Sequence, residues 1–422
     1  MGIGTNWAGN CTYQAARLHR PESVEAVQRI VTGAEKVKAL GTRHSFNEIA
    51  DCVADMISLE HLDRVIEIDR DRRTVTVEAG IRYGTLGEIF NREGFALPNL
   101  ASLPHISVAG ACATATHGSG DANGNLATSV SALEMVIADG TVVSLSRERD
   151  GERFAGAVVG LGALGVVTKL TLDLLPTFDI RQDVYENLPL AEVEAHLDEI
   201  TSSGYSVSLF TDWREARFTQ AWRKRRVTPG EPADPAAPTF FGATRSEHDL
   251  HPIAGISAEN CSPQRGVPGP WHERLPHFRM EFTPSSGEEL QTEYLVPRPH
   301  AVDALRAVNN LRARIAPLLQ VSEIRTVAAD DLWMSPCYRR ACVCIHFTWV
   351  KDWNAVGEVL PRIEAALAPF DARPHWGKLF TMPGTRVRSL YEKLPDFLEL
   401  AGGYDPKGKF RNAFLAASIG PA

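Results

Sequence analysis

Four short stretches carry side chains that could do chemistry. Gly41-Thr-Arg-His-Ser45 places an imidazole between an arginine and a serine, just after the apolar run Val37–Leu40. A loop histidine there can be a solvated turn residue, a general base, a metal ligand or a point of covalent attachment. In the stretch VSEIRTVAA, strand alternation would put Val321, Glu323, Arg325 and Val327 on one face. That face is either a solvated ion pair or the wall of a hydrophilic pocket. In CVCIHFT, the same period aligns Cys342, Cys344, His346 and Thr348. Two thiols and an imidazole could bind zinc, but structural zinc sites draw their ligands from turns with C-x2–4-C spacing. Small core cysteines with a His–Thr end lining a cavity is the simpler reading. The turn His375-Trp-Gly-Lys378 joins a ring donor, an aromatic and a cation, which suits either a structural turn or a catalytic one.

Glycine patterns suggest what these side chains would surround. Gly160-Leu-Gly162-Ala-Leu-Gly165 matches the dinucleotide fingerprint G-x-G-x-x-G. That fingerprint works where it follows a strand and opens a helix, so that the pyrophosphate meets the helix N-terminus. Here Val166, Thr168, Leu170, Leu172 and Leu174 alternate after it in strand fashion, so the glycines are expected to permit close packing. The Gly/Ser-rich segments 41–47 and 101–120 each follow an apolar run. Successive backbone N–H groups in such loops can bind anions without a helix, which points to a phosphate-bearing cofactor. No Walker loop, H-E-x-x-H or G-x-S-x-G element is present.

The elements that must hold these stretches follow from periodicity. Val24, Val27, Ile30 and Val31 predict a helix in residues 20–36, followed by the strand VKAL. RVIEID and RTVTVEAG predict a β-hairpin, YGTLGEIFNREG a second helix, and SALEMVIADGTVVSLS a strand–turn–strand. Beyond about Pro176 the pattern becomes a helix at LAEVEAHLDEI and strands at YSVSLFTDW and FTQAWRKR. A Pro-rich surface loop follows from Val227 to Pro252. MEFTPSS and ELQTEYLVP then read as strands, HAVDALRAVNNLRARI as a helix, VSEIRTVAA and CVCIHFTWV as strands, and WNAVGEVLPRIEAAL as a helix. That order predicts an antiparallel sheet covered by helices on one face.

Composition sets the outer limits. The 422 residues suffice for two domains. With 44 basic and 52 acidic residues the net charge is −8, which argues against a nucleic-acid binder. The basic run Trp222–Arg226 is expected to be a solvated patch. No apolar run is long enough for a membrane span, and the first residues carry no secretory pattern. Seven scattered cysteines suggest free thiols and a cytoplasmic protein.

Taken together, GTRHSFNEIA, LPNLASLPHISVAGACATATHGSG, GALGVV, EIRTVA, HFTWV, RPHWGK and GKFRNAF closely resemble the alditol oxidases, which include xylitol and sorbitol oxidases. These belong to the vanillyl-alcohol-oxidase-type family of FAD-linked oxidases. The resemblance runs from about Asn6 through nearly the whole chain. It implies an α+β protein. Residues 1–180, completed by 379–422, would form an FAD-binding domain of two α+β subdomains. Residues 181–378 would form a substrate-binding cap with a mainly antiparallel sheet covered by helices.

The resemblance also makes His44 the residue that carries FAD covalently through the isoalloxazine 8α-methyl. His117 is a competing histidine that matches a non-covalent contact. Further cofactor contacts are implied at Ala39, Leu40, Gly41, Thr42, Arg43, Ser45, Ala101, Ser102, Ser107, Gly110, Thr114, Ala115, Thr116, Gly118, Gly165, Val166, Val167, His375 and Asn412. Arg325 and Lys378 match catalytic positions, and Ser102, Glu323 and Thr348 match polyol-contacting ones. His346, on the face of Thr348, is a candidate proton acceptor. Two departures stand out: Ala115 where glycine is expected, and Cys112 beside the flavin segment.

The implied reaction oxidises the terminal primary alcohol of a sugar alcohol to the aldose, with O2 reduced to hydrogen peroxide. The implied partners are a polyol and O2, with no metal, nucleic acid or membrane, on a monomer. An aldonolactone oxidase is the nearest alternative. A flavin dehydrogenase and a non-catalytic binding protein are the others.

Overall fold

The computed structural model describes residues 3–228, 236–282 and 288–420. Two large hydrophobic cores organise the chain. The first is gathered by a three-stranded parallel sheet (Arg17–His19, Asp55–Ser58, Val37–Leu40) and a five-stranded antiparallel sheet. The helix Val24–Gly33 turns Val27 and Val31 into this core, and the Ser23 side chain accepts from the Ala26 N–H at its start. A serine cap of this kind contributes about 1 kcal/mol. The expected hairpin is Val65–Asp69 with Thr74–Glu78, and the expected strand–turn–strand is Val130–Val136 with Val142–Ser146. Strand Val166–Asp173 lies between the two and alternates buried with half-buried positions along its length.

The glycine fingerprint runs the wrong way for a dinucleotide fold. The helix Arg147–Val158 precedes it and the strand Val166–Asp173 follows. A side chain on Gly165 would collide with the Val136 carbonyl at 2.6 Å, so this glycine serves close packing. The C-terminal helices Leu394–Tyr404 and Ala413–Ile419 return to the same core. Trp271, Trp333, Met334 and Trp376 also join it, although they fall within residues 181–378.

The second core lies under a mainly antiparallel sheet ordered Asp179–Pro189, Arg217–Val227, Ser206–Thr211, Leu319–Val327, Cys342–Val350, Glu289–Pro297 across its main strands. Each half is a strand, a helix and two strands, and the halves join where Ser206–Thr211 pairs with Leu319–Val327. This repeat is topological; the sequence shows none. Helices Leu190–Ser202, Ala301–Asn309 and Trp353–Leu367 cover one face, burying Ile324, Ile345, Phe347 and Trp349. The opposite face carries a polar centre, Glu293, Glu323, Arg325 and His346, between two small apolar clusters, and Arg325 reaches Ser102 of the first region.

Three sequence expectations change. Trp222–Arg226 is not a solvated patch: within strand Arg217–Val227, Trp222 and Lys224 are buried on one face while Arg226 is exposed. Period-two alternation separates buried Trp222 and Lys224 from half-buried Arg223 and Arg225, and Arg226, on the buried face but at the strand end, lies over the Phe178 and Tyr205 rings. Met280–Phe282 forms a turn and bend where a strand is expected, and 283–287 lie outside the described residues. The Pro-rich segment, of which 229–235 are outside the described residues, holds two short paired strands, Thr239–Phe240 and Ala243–Arg245.

Candidate active site

The polar sheet face places its residues in rows. Strand register pairs Phe210 with Glu323, Glu323 with His346, and His346 with Glu293. The next row pairs Thr348 with Gln291. These side chains line a cavity of ≈ 1240 Å³. That exceeds the ~300–1,000 Å³ of a common small-ligand pocket. Glu323 and Arg325 are the wall of this pocket, not a solvated pair, with 6% and 7% exposure. Cys342 and Cys344 pack with Cys337, Leu295 and Val327, while His346 and Thr348 reach the cavity.

Glu293 organises the charged corner. Arg325 Nη2 donates to Glu293 Oε1 at 2.6 Å, His117 Nε2 lies 3.2 Å from the same oxygen, and His346 Nδ1 lies 3.6 Å from Oε2. Arg325 Nη1 also reaches Ser102 Oγ at 3.4 Å, which joins the sheet to the 101–120 segment. Burial pushes the Glu293 carboxyl up, but Arg325 and His117 outweigh it and hold the group well below its ordinary value. Glu323 is likewise depressed: burial opposes ionisation, and Arg325 and His277 more than offset it. Burial brings Lys378 down to about 8, against the pull of Glu293. His346 and His375 are lowered chiefly by burial. The corner therefore presents two carboxylates, two cations and, at His346 and His375, neutral imidazoles at the wall of the cavity.

His117, Glu293 and His375 bring potential ligand atoms within 4.8 Å of one another. The Arg325 guanidinium already holds the same carboxylate. A divalent cation there would be pressed against a fixed positive charge, so we assign these groups to hydrogen bonding and not to a metal.

The loop carrying His44 is tied to the turn carrying Lys378. Phe46 N–H donates to Gly377 O at 2.8 Å, and Asn47 Nδ2 donates to the carbonyls of Trp376 and Lys378 at 2.9 and 2.7 Å. Lys378 bonds Gln291 and sits 4.8 Å above the Phe46 ring. The half-buried His44 stacks on Trp7 at 5.7 Å between ring centroids, with Nδ1 3.1 Å from Thr42 Oγ1. Burial, then the positive charges of His105 and Lys378, bring it down to about 4, so its imidazole is neutral and nucleophilic at pH 7.

The residues fit FAD on four observations. Arg43 has φ 65, the left-handed turn that lets successive N–H groups converge on an anion. Among the described residues, the N–H groups of Thr42, Arg43, His44 and Ser45 donate to no acceptor in the chain. Gly41 and Gly110 face the same narrow space: a Cβ on either would come within 3.1 or 3.0 Å of Ser107 Oγ. At the opposite corner, His117 Nε2, Arg325 Nε and His346 Nδ1 are buried without a hydrogen bond among the described residues.

Most of the expected site residues line this one cavity: residues 39–45, Ala101, Ser102, Ser107, Gly110, Thr114, Thr116, His117, Gly165, Val167, Glu323, Arg325, His346, Thr348, His375 and Lys378. Four do not. Val166 alternates into the core. Gly118 permits close packing, since a Cβ there would lie 2.2 Å from the Leu100 carbonyl. Ala115 occupies a buried left-handed turn at φ 52, the conformation that explains the glycine expected there. Asn412 caps the last helix and ties it to the carbonyls of Glu48, Ile49 and Asp51.

Sequence reading missed Glu293, Gln291, His277 and Lys224. The stretch ELQTEYLVP did hold a signal, because Glu289, Gln291 and Glu293 share one face of its strand. His277 sits in an irregular loop where no periodicity marks it.

Comparison with known proteins places this site in a class. A sequence model described as an FAD binding domain matches residues 15–146, and one described as D-arabinono-1,4-lactone oxidase matches 286–418. A solvent-stable cholesterol oxidase shares the fold, with a TM-score of 0.79 at 16% identity over 99% of this chain and 97% of that one. The cholesterol oxidase of B. sterolicum also scores 0.79, at 15% identity over 99% and 96%. The architecture is thus that of the vanillyl-alcohol-oxidase-type flavoproteins, and the chain is an FAD-binding oxidoreductase.

The alditol oxidase of a Streptomyces species is 52% identical over 97% of each chain. The L-gulono-1,4-lactone dehydrogenase of Mycobacterium tuberculosis is 28% identical over 99% of each, and mouse L-gulonolactone oxidase is 27% identical over 97% of this chain and 96% of its own. This chain belongs to the alditol oxidase family.

Proposed function

We propose that the protein is an alditol oxidase that converts the terminal primary alcohol of sugar alcohols such as xylitol and sorbitol to the aldose, with O2 reduced to H2O2. The observation that carries this reading is the convergence of Ser102, Glu323, Arg325, Thr348 and Lys378 on one cavity that the His44 loop also enters. Bound FAD, held by the 41–45 and 101–117 segments, would supply the two-electron chemistry, with the hydride of the carbinol carbon as the electrons' source and O2 as their final acceptor. Donors and acceptors from Ser102, Glu323 and Thr348 suit a chain of hydroxyls. A substrate lacking one would leave a buried polar group unpaired. Arg325 and Lys378 supply positive charge beside the hydroxyl that loses its proton, favouring alkoxide character. His346, neutral and 3.2 Å from Thr348 Oγ1 through Nε2, is the proposed proton acceptor. The small side chain of Ala101 leaves room for O2 beside the reacting centre.

The greater identity to the alditol oxidase than to the lactone enzymes, 52% against 28%, favours polyols over lactones. Peroxide release from xylitol, sorbitol and gulono-1,4-lactone, measured side by side, tests this. Turnover of the polyols is expected; a lactone preference would overturn it. The protein is proposed to be a monomer with residues 1–180 and 379–422 holding FAD. Its cysteines are free and buried, which supports a reducing, cytoplasmic setting.

Two predictions follow from the geometry. With His44 as the covalent anchor, His44→Ala is expected to release all of its flavin on acid precipitation. Flavin that stays with the pellet would refute the assignment. If cationic Lys378 assists proton loss, kcat/KM declines as pH rises through about 8, where Lys378 gives up its proton. Glu289, Glu293, Glu323 and Arg325 are the charges that face it. A Lys378→Arg variant that retains activity should lose that alkaline limb, and an unchanged pH profile would exclude Lys378 as its source.

A further inference from the structure

Beside Glu323 begins a buried chain of groups that the proposed reaction does not use; its first member, His277, also touches the cavity and the rest runs away from it. His277 Nε2 is 2.7 Å from Glu323 Oε1, and His277 Nδ1 is 3.3 Å from Lys224 Nζ. Lys224 also donates to the carbonyls of Leu275 at 2.5 Å and Pro276 at 3.0 Å. Lys224 and His277 are 1% and 5% exposed. Phe210 and Trp222 enclose the imidazole, with ring centroids at 5.6 and 5.2 Å. The His277 backbone N–H donates to Ser102 O at 3.2 Å, so one residue braces both the sheet and the Ser102 loop.

Burial lowers Lys224 to about 7, and in its ammonium form three N–H donors match the two carbonyls and His277 Nδ1, which gives the hydrogen-bond pattern one consistent solution. Glu323 is ionised and can only accept, so a 2.7 Å contact requires the proton on His277 Nε2. Burial brings His277 down to about 4, so the ring is neutral and Nδ1 is left as an acceptor. Lys224 supplies the matching donor. The direction Lys224→His277→Glu323 is thereby fixed. Glu323 Oε2 faces Arg325 Nε at 3.6 Å, so the carboxylate is held from two sides.

We infer that Lys224 and His277 are positioning residues that lock Glu323 as a hydrogen-bond acceptor toward the cavity and thereby set affinity for substrate hydroxyls. The inference rests on the alditol oxidase reading. The strand run WRKRR and the loop LPHFR supply this support from two segments far apart in sequence, and only the fold brings them together.

The test uses the flavin-loaded enzyme and xylitol. His277→Phe fills the aromatic surround but removes both bonds; its KM is expected to rise about 10- to 100-fold, the range for losing a hydrogen bond to a charged group. Its kcat is expected to stay within about threefold, the signature of lost binding and not of lost chemistry. His277→Gln keeps one acceptor and one donor and should restore KM to within about threefold of the parent. Lys224→Met should raise KM in the same direction, which keeps the test decisive if His277→Phe fails to fold. A parental KM in both His277→Phe and Lys224→Met would overturn the inference. So would a loss confined to kcat, or a His277→Gln variant as impaired as His277→Phe. A parent enzyme that oxidises no polyol would instead refute the alditol reading itself.

Discussion

Replacing Arg325 with methionine is expected to lower kcat/KM for xylitol, per bound flavin, by about 10²- to 10³-fold, the range for removing one preorganised donor from a charge-stabilising site. The size follows from burial. Arg325 is 7% exposed and bridges Glu293 at 2.6 Å and Ser102 at 3.4 Å. Water therefore cannot replace its charge, and among the described residues no other side chain bonds both of these partners. A lysine keeps the charge but not the planar fork, so Arg325→Lys should recover only part of the loss. The measurement is steady-state peroxide production normalised to flavin absorbance. A methionine variant within about threefold of the parent would remove Arg325 from the proposed catalytic set.

The second large effect falls on stability. Glu293→Leu is expected to destabilise the fold by about 3–5 kcal/mol, because it strands the buried Arg325 charge without its closest carboxylate. His117 and His346 lose the carboxylate that faces them at 3.2 and 3.6 Å in the same step. Glu293→Gln keeps an acceptor and should cost less. The double variant Glu293→Leu with Arg325→Met removes both charges. It should be more stable than the sum of the single losses predicts, since the two residues are in direct contact. Urea unfolding of the four proteins checks this. Additive losses would mean that the pair is not energetically coupled.

These residues also show how far the sequence can be read. The period-two alternation of VSEIRTVAA and CVCIHFT groups Glu323 with Arg325 and His346 with Thr348 on single strand faces but leaves open whether those faces meet solvent or a pocket; the structure pairs the two strands and turns both faces to the cavity. The same rule applied to ELQTEYLVP would have found Glu293 and Gln291. Applied to FTQAWRKR, it would have buried Lys224, but a dense run of positive charge reads as solvated unless a cavity lies behind it. His277 was beyond reach because its contacts come from a loop that packs across strands distant in sequence. Asn412 shows the converse. Its motif suggested a cofactor contact, whereas its side chain caps a helix and bonds three carbonyls of the 48–51 segment. The two-half sheet escaped notice because a strand–helix–strand–strand repeat can persist in topology while its side chains diverge.

The most direct test is the visible spectrum of the purified protein, recorded without oxygen, then after adding xylitol, then in air. The predicted result is a flavin absorbance that xylitol bleaches and that air restores with stoichiometric peroxide. A folded protein that carries no flavin after loading, or a bound flavin that xylitol leaves oxidised, would contradict the proposal that this cavity joins FAD to a polyol site.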